Sequence, residues 1–121
     1  MDGKTILLMD DHPGVLRGLS SYLGAMLPGC SVVTLNRFNE GDDLPAKVDI
    51  AILDVVMPRS MGVHDRVRLI RKIYGPNCLI LCQSMTMDDD DAFVLRLNGA
   101  DYAVEKDSRY LTEIFEKEGL I

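Results

Sequence analysis

Apolar and polar positions follow two rhythms along this chain of 121 residues. Short, mostly apolar runs recur at residues 5–9, 31–35, 48–53, 78–82 and 102–104. Each is bounded by turn-forming residues, and runs of that length read as buried strands. Between them, apolar residues return every three or four positions. Val15, Leu16, Leu19, Tyr22, Leu23 and Met26 form a helical stripe that Pro13 opens and Pro28-Gly29 closes. Val63, Val67, Leu69, Ile70 and Ile73 form another, ending at Tyr74-Gly75-Pro76. Four aspartates at 88–91 open a third, where they complement the positive end of the helix dipole. Phe93, Val94, Leu95 and Leu97 continue it, and Asn98-Gly99 cap it. Ser108 is expected to cap a last helix running through Glu118. A short helix over residues 38–44, ended by Pro45, completes five strand–helix alternations. That alternation predicts a parallel sheet with helices on both faces, in one domain.

Composition narrows the class. Apolar residues make up 47% of the chain, enough for a packed core, which excludes disorder. No apolar run approaches the roughly 20 residues of a membrane span. The start, Met1-Asp2-Gly3-Lys4, is wrong for a secretory signal, and a cytoplasmic location is expected. Three cysteines is an odd count, and Cys78 and Cys82 share one apolar run, so reduced thiols are expected. A net charge of −6 argues against a grip on nucleic acid and suits a metal cation. His12 and His64 are expected to be structural or exposed, and with no Cys/His cluster no zinc site is expected.

The chemistry gathers at strand ends. Asp10 and Asp11 follow the first strand, Asp54 ends the third, Ser84 follows the fourth and Lys106 the fifth. In a parallel sheet all lie along one edge, where open α/β folds bind their ligands. Carboxylates brought together raise one another's pKa unless a cation joins them. Oxygen ligands suit Mg²⁺, which takes one or two carboxylates and keeps several waters. Asp54 can act as a nucleophile toward phosphorus, with a metal, an ammonium and a hydroxyl neutralising the phosphoryl oxygens.

Several stretches, in order and at characteristic spacing, carry a resemblance across essentially the whole chain. They are Met9-Asp10-Asp11-His12-Pro13, Leu53-Asp54-Val55-Val56-Met57-Pro58 with Gly62, Gln83-Ser84, and Gly99-Ala100-Asp101 followed by Glu105-Lys106-Asp107-Ser108. Asp54 precedes Ser84 by 30 positions, and Ser84 precedes Lys106 by 22. In these features residues 1–121 resemble the CheY-like receiver domain of two-component response regulators. Asp-Asp-His-Pro and Lys-Asp-Ser are most similar to the NarL/FixJ (LuxR-type) subgroup.

The resemblance implies a flavodoxin-like (βα)5 three-layer sandwich with a five-stranded parallel sheet of order 2-1-3-4-5. It implies Asp54 as phospho-acceptor and Mg²⁺ held by Asp10, Asp11, Asp54 and the backbone carbonyl of Val56. Ser84 is implied as the hydroxyl that moves toward the phosphoryl group, and Lys106 as its ion-pair partner. The implied phosphoryl source is a sensor histidine kinase, and the response a shift of the face built from the fourth helix, fifth strand and fifth helix. A homodimer on phosphorylation is a further implied partner. DNA would be contacted only through a C-terminal helix-turn-helix domain lying outside this sequence, and no dedicated enzyme or membrane partner is implied.

Three positions depart from the family pattern. Ala103 stands where an aromatic residue is usual, and alternation sends the neighbouring Tyr102 to the opposite face. Met85 replaces a small residue after Ser84, and Glu105 an apolar one beside Lys106. Altered switching is expected from these. The alternative is a degenerate pseudo-receiver acting as an interaction or dimerisation domain without phosphorylation. A phosphohydrolase of the haloacid dehalogenase type is disfavoured because Val56 stands where its second aspartate belongs. A flavodoxin proper is disfavoured because Asp10-Asp11-His12-Pro13 would repel the phosphate of FMN.

Overall fold

Every residue of the strand Ile50–Asp54 is buried, as an apolar run predicts for the middle of a sheet covered on both faces. The computed structural model of the chain describes residues 2–121. Its strands are β1 (Thr5–Met9), β2 (Ser31–Leu35), β3 (Ile50–Asp54), β4 (Leu79–Ser84) and β5 (Tyr102–Glu105). All pairings are parallel, in the order β2-β1-β3-β4-β5. The helices among the described residues are α1 (Pro13–Met26), α2 (Val63–Tyr74), α3 (Asp89–Leu97) and α4 (Ser108–Lys117). This is the flavodoxin-like three-layer arrangement, with four helices rather than five.

Alternation along the strands divides the core in two. Ile6, Leu8, Ile50, Ile52 and Leu81 face α1 and α4, and Leu23 of α1, Leu27 at its C-cap, and Leu111, Ile114 and Phe115 of α4 complete that cluster. Leu7, Met9, Ala51, Leu53, Ile80 and Cys82 face the other way, toward Val63, Val67 and Ile70 of α2 and Leu95 of α3. Fully burying side chains such as Leu23 and Leu27 contributes about 1.5–3 kcal/mol each, which is what docks α1. The three cysteines are free, and burial pushes the thiols of Cys78 and Cys82 up to about 11 and about 12.

The expected helix over residues 38–44 does not form. Asn39 and Asp42 close a turn instead: Asn39 N–H donates to Asp42 Oδ2 at 2.8 Å, and Asp42 N–H donates back to the Asn39 carbonyl at 3.0 Å. Gly41, with φ of 90°, takes a left-handed conformation that a helix cannot contain. Phe38 packs into the α2-side core at 1% exposure, and Leu44 packs partly buried against the same cluster without a helix between them. Boundaries also differ: the strand expected over residues 48–53 runs from Ile50 to Asp54, and the one expected over 102–104 extends to Glu105. The cap of α4 is Asp107, whose side chain accepts from Arg109 N–H, and Ser108 is the first helical residue. The strand expected over residues 78–82 begins at Leu79 and runs on to Ser84, so Gln83 and Ser84 belong to the sheet.

Candidate functional site at the carboxyl edge of the sheet

Three backbone bonds carry the ladder past the strand ends and fix the residues that follow. Asp10 N–H donates to the Leu35 carbonyl, Val55 N–H to that of Gln83, and Lys106 N–H to that of Ser84. Asp10, Asp54 and Lys106 share the parity of Ile6, Ile52 and Val104, so their side chains rise on the α1/α4 side of the sheet. They meet there. Lys106 Nζ lies 2.6 Å from Asp10 Oδ2 and 3.2 Å from Asp54 Oδ2. Asp10 is wholly buried, Asp54 nearly so, and Asp11 partly exposed.

Local bonds hold these carboxylates in place. Asp10 Oδ1 accepts from His12 N–H at 2.9 Å, a turn made as α1 begins. Asp54 Oδ1 accepts a longer bond from Val56 N–H at 3.4 Å. His12 Nδ1 lies 3.0 Å from Asp11 Oδ1 and 3.3 Å from Asp10 Oδ1. The His12 side chain is largely exposed.

Burial raises the pKa of Asp54, and the charge of Asp10 raises it further against the opposing pull of Lys106. Burial also works against the Lys106 ammonium. Its contact with Asp10 and the charges of both aspartates outweigh that, and its pKa is raised. Two carboxylates thus converge on one ammonium, with Asp11 beside them on His12. Two carboxylate oxygens, Asp10 Oδ2 and Asp11 Oδ1, are buried without a well-directed hydrogen bond among the described residues, although Lys106 Nζ and His12 Nδ1 lie close to them. Oxygens of Asp10, Asp11 and Asp54 and a His12 nitrogen all lie within 4.8 Å of one another. This oxygen-rich, under-neutralised set fits a hard divalent cation such as Mg²⁺. Asp11 also borders a polar cavity of about 500 Å³ lined by Asn36, Arg37, Pro58 and Arg59.

Not every expected residue joins the cluster. The Ser84 hydroxyl is buried and makes no hydrogen bond among the described residues, and its parity is that of Cys82, on the α2/α3 side. Met85 beside it is 77% exposed. Val56 is exposed and touches Asp54 only through its N–H. Tyr102 packs toward α4, as alternation requires, and donates to Glu118 Oε1 at 2.7 Å, while Ala103 lies on the α2/α3 side.

Arg66 escapes any motif. It is 1% exposed on α2 and holds the loop after β3 by three contacts. Its Nη2 donates to the Val55 carbonyl at 3.0 Å, Nε to the Met61 carbonyl at 2.9 Å and Nη1 to Met57 Sδ at 3.4 Å. The signal was a charged residue three positions after Val63, on the apolar face of its helix.

No protein-family model matches the chain, and no curated protein sequence does. Solved structures do share its fold. The signal receiver domain of a DNA-binding response regulator from Colwellia psychrerythraea 34H superposes with a TM-score of 0.75 at 16% identity, covering 94% of this chain and 96% of that one. The response regulator DrrB from Thermotoga maritima, an OmpR/PhoB homologue, gives 0.76 at 22% identity, over 98% of this chain and 54% of that one. A CheX–CheY–BeF3–Mg²⁺ complex from Borrelia burgdorferi gives 0.72 at 15% identity, over 95% and 89%. At such identities the likeness establishes the fold.

Proposed function

We propose that residues 1–121 form a receiver domain that accepts a phosphoryl group on Asp54 from a histidine kinase. The observation that carries this reading is Lys106 bridging Asp10 Oδ2 and Asp54 Oδ2 at the carboxyl edge of a receiver-like sheet. An Asp54 carboxylate oxygen attacks phosphorus, and the bond from phosphorus to the donor's imidazole nitrogen breaks, leaving the electron pair on nitrogen. The Lys106 ammonium faces the incoming oxygens and holds Asp54 in line. Ser84 reaches the phosphoryl group after turning from its present buried position. Asp10, Asp11, Asp54 and the Val56 carbonyl would hold Mg²⁺, which neutralises charge on the phosphoryl oxygens. Water later cleaves the acyl phosphate, so the chain is a switch and not a dedicated enzyme.

The output follows from what phosphorylation moves. Ser84 and Lys106 flank the face built from α3, β5 and α4, and a shift in their positions biases that face between two populations. Homodimerisation and transcriptional control through a NarL/FixJ-type helix-turn-helix domain outside this sequence are the outputs we favour. The Colwellia relative is named as part of a DNA-binding regulator. A cytoplasmic setting suits a kinase partner, and no described helix is long and apolar enough to cross a membrane.

A second reading is a pseudo-receiver that binds partners without phosphorylation. Ala103 beside an inward Ser84, and the exposed Met85, favour it. Intact mass after incubation with acetyl phosphate separates the two. A Mg²⁺-dependent single adduct on the wild type, absent from Asp54→Asn, is expected. No adduct from either acetyl phosphate or a phosphorylated histidine kinase domain would overturn the receiver reading in favour of the second.

A further inference from the structure

Gln83 and Ser84 are the buried polar residues of β4, whose other positions are apolar. Gln83 follows Leu81 by two positions on β4, so it faces the α1/α4 side, and it pairs in register with Asp54 on one flank and Val104 on the other. It is 1% exposed, and its Nε2 has no hydrogen-bond partner among the described residues. Its backbone is fully used, since its carbonyl accepts from Val55 N–H at 2.9 Å. Only the carboxamide is left over. A buried amide donor without an acceptor costs stability, and a leucine at this position would pack without that cost.

Gln83 lines a cavity of about 470 Å³ between α1 and α4, within the range of small-molecule sites. Val15 and Leu19 from α1 and Leu111 from α4 supply apolar walls. Tyr22 joins the two helices there, donating to the Ser108 carbonyl at 3.2 Å and meeting the Thr112 hydroxyl. An apolar recess with one unpartnered, convergent donor is the arrangement that fixes the orientation of a bound molecule.

Charge decides what that molecule carries. Lys106 also lines the cavity, but its ammonium is already matched by Asp10 and Asp54. Asp107 lines it too, and its carboxylate caps α4 and pairs with Arg109. An anionic ligand would meet the Asp107 carboxylate in a chain of net charge −6. A neutral carbonyl oxygen satisfies the Gln83 donor without that repulsion. We infer that the cavity between α1 and α4 binds a small, neutral, largely apolar molecule through a carbonyl oxygen that accepts from Gln83 Nε2. Recognition falls to Gln83 and the apolar walls, and it holds whether or not Asp54 accepts a phosphoryl group.

N-benzylacetamide is a suitable probe, with 3-phenylpropanoate as its charged counterpart. Titrated into the ¹⁵N- and methyl-labelled full chain, N-benzylacetamide should move the Gln83 side-chain NH₂ and the Leu19 and Leu111 methyl signals together, saturably. Affinity for 3-phenylpropanoate should be lower by about tenfold, and Gln83→Leu should lose about tenfold for N-benzylacetamide, the worth of one hydrogen bond. The Leu variant should melt no lower than the wild type, which separates a lost donor from a lost fold. The inference is overturned if no saturable shift appears up to the solubility limit of the probe. It is equally overturned if Gln83→Leu binds as well as the wild type, or if a bound water keeps its cross-peak to the Gln83 NH₂ at the highest probe concentration.

Discussion

Lys106 Nζ stands 2.6 Å from Asp10 Oδ2, so an ammonium arriving after the last strand neutralises a carboxylate that is wholly out of water. Removing one partner of such a pair costs far more than the pair itself contributes, because the other charge is stranded. Lys106→Met should therefore lower stability by roughly 3–5 kcal/mol at neutral pH, measured by urea unfolding. The deficit should shrink on acidification as Asp54, the second carboxylate facing Lys106, takes up a proton. A loss that stays constant with pH would mean that the ammonium acts through packing alone.

Asp54 gives the wild type its own pH signature. Its pKa is raised, first by burial and then by Asp10, so the folded state holds this proton more tightly than the unfolded chain does. Its contribution is present below the ordinary carboxylate pKa and is lost as pH rises through the raised folded value. Asp49 runs the other way: its pKa is lowered by its bond from Thr5 N–H and by Lys47 and Lys4 despite burial, and its contribution is lost as pH falls. The difference between wild type and Asp54→Asn isolates the first effect. Asp54→Asn should melt higher at neutral pH, with the gain fading toward pH 4 in melting curves taken across that range.

Asp11 should matter for metal more than for folding. It is partly exposed, and its buried Oδ1 lacks a directed hydrogen bond. A ligand present at 100 times its Kd stabilises by about 2.7 kcal/mol, so saturating Mg²⁺ should raise the melting temperature of the wild type. In Asp11→Ala the Mg²⁺ titration should shift to higher concentration, while the melting temperature without metal changes little. Equal titration curves would move the metal away from Asp11.

Arg66 braces the loop that carries Val56. Arg66→Met removes donors to the Val55 and Met61 carbonyls from a buried site, and hydrogen bonds from charged donors contribute about 1.5–3 kcal/mol each. A loss on the order of 3 kcal/mol is expected in urea unfolding. Faster amide exchange should accompany it and be confined to residues 55–61. Uniformly faster exchange would assign Arg66 to global packing instead.

The strands and three of the expected helices could be read from local spacing, and the last helix was placed although its cap is Asp107 and not Ser108. Burial direction repeats every two residues in a strand and about every 3.6 in a helix, so Leu81, Ile52 or Val67 declares its facing through its neighbours. The strand-end positions of Asp10, Asp54 and Lys106 were legible for the same reason. So was the turn of Tyr102 away from the face of Ala103, because it depends on alternation alone.

What local spacing leaves open is which distant groups meet. The segment after β2 closes into a turn because Asp42 satisfies Asn39 N–H and Phe38 N–H finds Ser60 Oγ at 2.9 Å, a partner supplied by the loop after β3. Ser84 faces away from Asp54 because β4 extends through it and fixes its parity. Arg66 and Gln83 were visible as polar residues on apolar faces, but one found carbonyls to fill its donors and the other did not. Periodicity along the chain is enough to say which side chains of each element must be hidden. The partners of buried charges and donors come from the assembled fold, because a hydrogen bond or ion pair across the sheet depends on positions that no local repeat specifies.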